Sequence, residues 1–384
     1  MRARVPDLLL RTLRPHVPDH SEDLRVGWQE ASVAGLSDLV DYEGCALWLY
    51  RRLQELDILS EVEPPFGGWL ADRARAITAW NMLIDAQAEA VIRVLNALNV
   101  PHVLIKGTAR RLLADEFPYS DARATTDVDV LLPDELAATT WKHLRSEGFR
   151  VAAEQPERFA EHIHLPPLAD HSGVAVELHT TTSLGLTPAE SWRRMNGGAR
   201  EIQRHGNMTR VPRATELLWH AVTHAPLAWP HAFRLRFLQD AAVVLAAARE
   251  VDWAEISRRL RTDEIPDDSL AARWLAAAGW LAGRDCSAVR PEPVPPVDLS
   301  TLLQWRLEVF RYTRAGHQSG GLGDGTTGLA ARGRRLLIDE GTLFEVGLAR
   351  KSPRHVTGLL PQAGRQAASV AARLCYLGWR AVRR

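Results

Sequence analysis

The stretch Thr-Asp-Val-Asp-Val-Leu-Leu at residues 126–132 determines how the middle of this chain is expected to fold. Side chains two residues apart on a β-strand point to the same face and lie about 6–7 Å apart. The alternation therefore predicts a strand that turns Asp127 and Asp129 to one side and buries Val128 and Val130. Two carboxylates at that separation are hard oxygen ligands suited to Mg²⁺, and they can bridge two metal ions about 3.5–4 Å apart. Without a cation, the two acids would repel one another and raise each other's pKa.

A second apolar run supplies a third acid. Residues 174–178 have the alternation of a strand and carry Glu177, and His179 follows two residues later on the same side. If this strand lies beside Asp129, Glu177 joins the two aspartates as a metal ligand or as the base for an attacking hydroxyl. His179 is then placed to hydrogen-bond a phosphate or to orient Glu177.

A basic turn precedes both runs. Residues 102–105 predict a short strand, and Lys106-Gly107-Thr108 opens a predicted helix. Gly107 permits the backbone to approach an anion closely. The amide groups and the positive dipole end of a helix that begins there favour triphosphate oxygens. Further positive charge is available from four nearby side chains, Lys106, Arg110, Arg111 and Arg123.

In this order and spacing, the three segments resemble the signature of the DNA polymerase beta-like nucleotidyltransferase superfamily, a Gly-Ser or Gly-Gly turn followed by Asp-x-Asp and a later acid. They are more similar still to an uncharacterised bacterial nucleotidyltransferase family with the motifs Lys-Gly, Arg-x-x-Ser/Thr-Asp-x-Asp and Val-Glu-Leu-His. The matching segments here are residues 105–107, 123–129 and 176–179. The similarity covers roughly residues 75–250 and includes weaker matches at 217–224 and 235–240.

This resemblance implies an α+β fold, with a mixed-sheet nucleotidyltransferase core flanked by N-terminal and C-terminal helical regions. It also implies an enzyme that uses two Mg²⁺ ions to transfer a nucleoside monophosphate from a nucleoside triphosphate (NTP) such as ATP to an acceptor, with release of pyrophosphate. The acceptor could be a small molecule, a peptide or protein, or RNA. The implied catalytic and metal-binding residues are Asp127, Asp129 and Glu177. The implied nucleotide-binding residues are Lys106, Gly107, Thr108, Arg123 and His179, and His224 and Asp240 are expected to face the cleft.

Sequence periodicity, together with what the resemblance implies, divides the chain into four regions. They are an N-terminal helical region (1–95), the nucleotidyltransferase core (96–212), a helical domain that forms the other cleft wall (213–290), and a helical extension with a Gly-rich loop and a basic tail (291–384). In the first region, helices are predicted at 43–59 and 69–98, separated by the Pro-Pro pair at 64–65. The second region interleaves strands and helices, which is typical of α/β or α+β folds, and includes a predicted hairpin at 200–211. The Gly-rich loop is expected at 316–328.

Composition restricts the class of protein more than its chemistry. The 384 residues are 46% hydrophobic and 24% charged, as in a globular protein with two or three domains. The 47 basic and 47 acidic residues balance, but residues 350–384 hold eight Lys or Arg and no acid. This composition favours a solvated basic helix packed on the helical domain, and the alternative is a tail that contacts an anionic partner, a membrane or a nucleic acid. Three separated cysteines favour a reducing compartment. Because no signal segment or membrane-length apolar run is evident, we expect a cytoplasmic protein that is not integral to a membrane.

Three other patterns carry weaker predictions. His220 and His224 share a helix face at metal-capable spacing but lack the Glu of His-Glu-x-x-His, so a core, substrate-facing or surface role is favoured over zinc. The four histidines at 162, 164, 171 and 179 are irregularly spaced with no Cys nearby, which also disfavours zinc. Gly-Leu-Gly-Asp-Gly at 321–325 follows no apolar strand, which favours a loop over a nucleotide-binding turn.

Two rival functions are compatible with the same acids. One is a non-catalytic binding or regulatory protein built on the nucleotidyltransferase fold. The other is a carboxylate-pair glycoside hydrolase, which needs two acids about 5–10 Å apart and no metal. Metal dependence separates the nucleotidyltransferase from the hydrolase, and pyrophosphate release separates it from the binding protein.

Overall fold

The computed structural model describes residues 4–15, 21–152, 159, 162–182, 186–228, 234–247, 251–261, 268–286 and 298–319. The helices in chain order are α1 (Val5–Leu13), α2 (Ser21–Glu30), α3 (Leu36–Glu43), α4 (Ala46–Glu55), α5 (Pro64–Ala97), α6 (Lys106–Leu112), α7 (Asp134–Ser146), α8 (Pro188–Asn196), α9 (Ala214–Ala228), α10 (Leu235–Ala247), α11 (Trp253–Arg261), α12 (Asp268–Ala282) and α13 (Leu299–Ser319). The strands are β1 (Val103–Leu104), β2 (Asp127–Leu131), β3 (Arg150–Val151), β4 (Leu168–Ala169), β5 (Ala175–His179), β6 (Arg200–Arg204) and β7 (Asn207–Val211). None of the helices in these ranges combines the length and the apolar character needed to cross a bilayer.

The chain divides into two compact units. The first holds the described residues within Met1–Ala71, Trp229–Leu235 and Pro295–Arg384, and the second holds those within Asp72–Ala228 and Arg236–Val294. The first unit is helical and is built around buried leucines and two fully buried tryptophans, Trp28 and Trp48. A buried ion pair joins Glu43 of α3 to Arg306 of α13, which links helices that are distant in sequence. Among the described residues of this unit, Cys45 is a buried, free cysteine.

Helix boundaries in the N-terminal half differ from those predicted. The Pro-Pro pair lies at the break between the two helices, but Pro64 is the first residue of α5 and not part of a linker before it. Proline is tolerated in the first turn because the N–H groups there have no partner within the helix. The predicted helix through residue 59 was also too long, since α4 ends at Glu55 and a separate single 3₁₀ turn occupies Leu59–Glu61.

The second unit contains the predicted mixed sheet, which confirms the α+β fold class. The strand order is β1-β2-β5-β4-β3, with β2 and β5 parallel and the other neighbours antiparallel. Strand β2 forms because its alternation buries Val128 and Val130 completely while the aspartates occupy the other face. The predicted strand over 149–153 is reduced to two residues, and β4 was not predicted because two residues carry no detectable period.

The hairpin and the C-terminal helices complete the description. Strands β6 and β7 pair as predicted, and the turn uses positive φ angles at His205 (+46°) and Gly206 (+81°). Helix α13 extends to Ser319, so the first four residues of the predicted Gly-rich loop are helical. The rest of that loop, the Pro-rich segment at 291–296 and the basic tail lie outside the described residues.

Candidate active site

The centre of the site lies where β2 and β5 run side by side. Their parallel register sets Asp129 opposite Glu177 and Leu131 opposite His179, so the assumed strand pairing is confirmed. Ligand atoms of Asp129, Glu177 and His179 all lie within 4.8 Å of one another. The His179 Nε2 atom is 2.9 Å from Asp129 Oδ1 and 3.3 Å from Glu177 Oε2. Two acids and an imidazole therefore converge in a space that one divalent cation can occupy.

Asp127 occupies the same face of β2, two residues before Asp129. In the described part of the chain, its carboxylate is not among the three groups that lie within 4.8 Å of one another. Burial and then the negative charges of Asp129 and Glu177 raise the pKa of Asp127 to about 7, against the opposing effect of Lys106 and Arg123. A nearby cation would therefore stabilise the ionised form of Asp127, as expected for a metal ligand beside other carboxylates.

Lys106 reaches into the acidic cluster. Its Nζ lies 2.6 Å from Asp129 Oδ1, 3.3 Å from His179 Nε2 and 3.8 Å from Glu177 Oε2. Its φ of +52° lies in the left-handed region, which a lysine adopts only at an energetic cost. Burial lowers the pKa of Lys106, but the three carboxylates outweigh burial and raise it above its usual value. The ammonium group is therefore a built-in counter-charge for the acids.

The remaining acids are held in their ionised form. Burial raises the pKa of Asp129, but the charge of Lys106 and the hydrogen bond from His179 lower it well below its usual range. Burial also raises the pKa of Glu177, and the contacts with His179 and Lys106 bring it below the ordinary value. The site thus holds two ionised carboxylates beside Asp127, whose proton is easily retained.

Gly107 and Thr108 connect α6 to the sheet. The buried Thr108 hydroxyl donates to the Asp127 carbonyl and accepts from the Asp129 amide, both at 3.3 Å. A serine hydroxyl would make the same two bonds, which explains why threonine suits the position after this glycine. A Cβ at Gly107 would lie 2.7 Å from Arg123 Nη1 and 3.0 Å from Thr125 Cγ2. Only a residue without a side chain lets Arg123 lie across this turn.

Asp240 of α10 holds two arginines at this turn. Its Oδ1 lies 2.8 Å from Arg123 Nε, and its Oδ2 lies 2.8 Å from Arg110 Nη2. All three residues are buried or nearly so, with side-chain exposures of 8% for Asp240, 12% for Arg123 and 2% for Arg110. Sequence placed Asp240 in the cleft but did not identify these partners. The pairing fixes the guanidinium of Arg123 beside Gly107.

Asn81 of α5 is a site residue that sequence reasoning missed. Its side chain donates to the carbonyls of Asp121 and Arg123 and accepts from the Thr125 amide, which pins the loop that carries Arg123. The sequence did contain a signal for this role, because Asn81 is a polar residue among the apolar residues on the buried face of α5.

Arg111 is bound to other partners and does not supply the positive charge for a triphosphate that the sequence predicted. Its guanidinium is bound to both carboxylate oxygens of Asp85 and to the carbonyls of Asn81 and Asp121. Bidentate binding of this kind immobilises the guanidinium group of Arg111. Arg111 therefore anchors α6 to α5 and is not directed at the sheet acids.

Three histidines border the acids. The rings of His220 and His224 stack with centroids 4.7 Å apart, and His220 Nε2 contacts the Thr182 carbonyl. Burial is the main cause that lowers the pKa of both, to about 3 for His220, so the pair is neutral at pH 7. His164 Nε2 lies 3.5 Å from Glu177 Oε2, and burial lowers the pKa of His164 to about 4.

The comparison with known families agrees with this geometry. A family described as "Uncharacterised nucleotidyltransferase" matches residues 29–280, about two thirds of the chain. The chain therefore belongs to this family and is an enzyme of nucleotidyl transfer. No curated protein matches the sequence. The matched segment includes both strands of the acid cluster, the turn at Gly107 and Asp240.

Proposed function

We propose that this member of the nucleotidyltransferase family transfers a nucleoside monophosphate from an NTP to an acceptor hydroxyl, with Asp127, Asp129 and Glu177 as its metal-binding acids. The observation that carries the proposal is the parallel register, which sets Asp129 opposite Glu177 with Asp127 on the same face. The arrangement fits a divalent ion, because ligand atoms of Asp129, Glu177 and His179 from two strands converge within 4.8 Å of one another and Asp127 lies on the same strand face.

Different residues of the chain have different roles in this reaction. Arg123 and the turn at Gly107 bind the phosphates, since a guanidinium recognises phosphate oxygens with paired donors. Glu177 accepts the proton of the acceptor hydroxyl, whose oxygen then attacks the α-phosphorus while the bond to pyrophosphate breaks. Two Mg²⁺ ions held by the acids supply charge neutralisation on the triphosphate. The products are a nucleoside monophosphate ester and pyrophosphate.

Lys106, Thr108 and His179 support these groups. Lys106 reduces repulsion between the acids before substrate binds, because its Nζ lies 2.6 Å from Asp129. Thr108 fixes the backbone between Asp127 and Asp129 through its two hydrogen bonds. His179 orients Glu177 and Asp129 through contacts of 3.3 and 2.9 Å. The helical region from residue 213 supplies the acceptor side of the cleft, in keeping with the position of Asp240 beside Arg123.

Binding of NTP tests this function before any acceptor is known. Wild type should bind ATP in a Mg²⁺-dependent manner by calorimetry, and the double variant Asp127→Ala/Asp129→Ala should lose that dependence. The double variant Asp134→Ala/Glu135→Ala is a matched control, because it removes two exposed acids at the start of α7. Equal Mg²⁺-dependent ATP binding by wild type and the Asp127/Asp129 variant would overturn the assignment.

One contact favours a second, non-catalytic function. Lys106 already neutralises part of the charge of the acid cluster within the protein, so the cluster depends less on a metal ion for its charge balance. A binding or regulatory protein on this fold would show no pyrophosphate release with any NTP in pools of metabolites, peptides and RNA. It would also form a stable complex with a protein partner. Pyrophosphate release in any of these pools excludes this alternative.

A further inference from the structure

The Lys106 ammonium group contacts every member of the metal-capable cluster. Its Nζ lies 2.6 Å from Asp129 Oδ1, 3.3 Å from His179 Nε2 and 3.8 Å from Glu177 Oε2. These are the same three side chains whose ligand atoms lie within 4.8 Å of one another. A divalent ion bound by them would use the oxygen and nitrogen lone pairs that the ammonium group faces. The ammonium group and the ion therefore compete for one set of ligand atoms.

The backbone at Lys106 is fixed, so an exchange of partners falls to its side chain. The amide of the preceding residue, Ile105, donates to the Asp129 carbonyl at 3.1 Å, which ties this point of the chain to β2. The Lys106 φ angle of +52° lies in the left-handed region, a conformation that persists only where surrounding contacts enforce it. The flexible aliphatic stem of a lysine separates this backbone from the charge. Rotation within the stem can therefore move the ammonium group without moving the strand.

Solvent reaches the cluster beside the same lysine. The side chains of Asp129 and His179 are 2% and 0% exposed, whereas those of Lys106 and Glu177 are each 17% exposed. An ion that enters from solution thus meets Glu177 and the ammonium group before it reaches Asp129.

We propose that the Lys106 ammonium group and a divalent ion occupy the acid cluster in turn, so that binding of the ion frees the ammonium group. This inference rests on the proposed function for the second partner of Lys106, which is the triphosphate. An ammonium group is a mobile point charge that binds both carboxylate and phosphate oxygens. Ion binding therefore makes a cation available to the nucleotide, and the nucleotide in turn holds that cation away from Asp129. The two binding events favour one another through a single side chain.

Acetylation of lysine amines in the wild-type protein follows the ammonium group directly. A succinimidyl acetate ester modifies accessible amines, and peptide mass spectrometry reports the extent at Lys106 and at the exposed Lys142 separately. The full-length protein is labelled in buffer, in KCl, in MgCl₂ at the ionic strength of the KCl sample, and in MgCl₂ with ATP. The KCl sample is the control for screening, because salt alone weakens ion pairs.

We expect Lys106 to be acetylated several-fold faster in MgCl₂ than in KCl, because the ion takes over the ligand atoms and releases the amine. Addition of ATP should slow the reaction again, since the phosphates then cover the ammonium group. Lys142 should react at the same rate in MgCl₂ and in KCl. Equal Lys106 rates in KCl and in MgCl₂, at a concentration that saturates Mg²⁺ binding in calorimetry, would overturn the proposal.

The variant Lys106→Met distinguishes competition from a purely structural role. It keeps an unbranched side chain and removes the charge, and Lys142→Met is the matched control. Without nucleotide, Lys106→Met should bind Mg²⁺ at least about tenfold more tightly than wild type, because the removed charge lies between 2.6 and 3.8 Å from the ligand atoms. In saturating Mg²⁺ it should bind ATP more weakly. A folded Lys106→Met protein with unchanged or lower Mg²⁺ affinity contradicts the proposal, and if the variant does not fold, acetylation of the wild type decides.

The outcomes separate this inference from the proposed function. Mg²⁺-dependent ATP binding by wild type, with no effect of Mg²⁺ on Lys106 acetylation, removes the exchange and leaves nucleotidyl transfer in place. Conversely, release of Lys106 by Mg²⁺ without ATP binding supports the exchange and removes the transfer function.

Discussion

Replacement of Asp240 by Asn is expected to lower the free energy of unfolding of the second unit substantially. The substitution keeps the shape of the side chain and removes the charge that pairs with both Arg110 and Arg123 at 2.8 Å. Burial already lowers the pKa of Arg110 to about 10, with Asp240 opposing this effect and Arg123 adding to it. Without the carboxylate, two neighbouring cations remain in a place with little water.

The magnitude follows from burial. Removal of one partner from a buried ion pair typically costs about 3–5 kcal/mol, because the other charge is left without compensation. We expect the lower end, about 3 kcal/mol, since Arg123 is 12% exposed and can turn partly toward water. In a unit of this size, that loss corresponds to a fall in melting temperature of about 6–12 °C.

Scanning calorimetry at pH 7.5 without metal or nucleotide measures this effect. Glu201→Gln is the matched control, because it removes the charge from an exposed pair with Arg210 whose side chains are 59% and 39% exposed. Such surface pairs contribute about 1 kcal/mol or less. A melting temperature for Asp240→Asn within about 2 °C of the control would refute the reasoning, since the two arginines would then not need the carboxylate.

Three further perturbations follow from the site. In EDTA, Asp127→Asn should stabilise the protein. The pKa of the folded acid, about 7, lies above its ordinary 3.8, so the wild type loses stability as pH rises from about 4 to 7, and the advantage of the variant in urea unfolding should grow over that window. Gly107→Ala should lower ATP affinity about tenfold by displacing Arg123, measured by calorimetry against Gly68→Ala, whose Cβ meets no described atom within 4 Å. His220→Gln should resist acid. The pKa of this histidine falls from 6.5 unfolded to about 3 folded, so the wild type should lose about 2 kcal/mol more than the variant between pH 7.5 and pH 5.

For each of these three predictions, one specific result would refute the reasoning. A pH-independent difference between Asp127→Asn and wild type would mean that the acid does not retain its proton near neutrality. Equal ATP affinities for the two alanine variants would show that Arg123 does not depend on the space above Gly107. Parallel acid unfolding curves for His220→Gln and wild type would mean that the histidine is protonated in the folded protein.

The sequence was informative where local periodicity carries the structure. Strand β2 and its two aspartates follow from alternation over seven residues, and the hairpin follows from a His-Gly-Asn turn. The placement of Asp129 opposite Glu177 had to be assumed at the level of sequence, because no local signal fixes which strands pair. The two-residue strands β3 and β4 have no period at all.

The partners of the charged residues were beyond local reasoning. Asp240 is more than a hundred residues from Arg110 and Arg123 in the sequence, yet it pairs with both in the fold. Lys106, which contacts Asp129, has a positive φ angle that its residue type does not predict. Such contacts depend on how the helices close over the sheet. Residue type alone suggested that all nearby basic groups served phosphate, yet Arg111 is bound to Asp85.

The parallel pairing of β2 and β5 has a consequence for insertions and for protein engineering. Changes in loop length within residues 132–174 that leave β3 and β4 paired in the sheet should not alter the separation of Asp129 and Glu177, because the backbone ladder between β2 and β5 fixes that separation. A one-residue deletion inside β5 ahead of Glu177 has the opposite effect. It sets a neighbouring apolar residue opposite Asp129 and turns the glutamate toward the core. Grafts of this site onto another sheet must therefore transfer the two strands in register, together with β4, which pairs with β5 from within the connection.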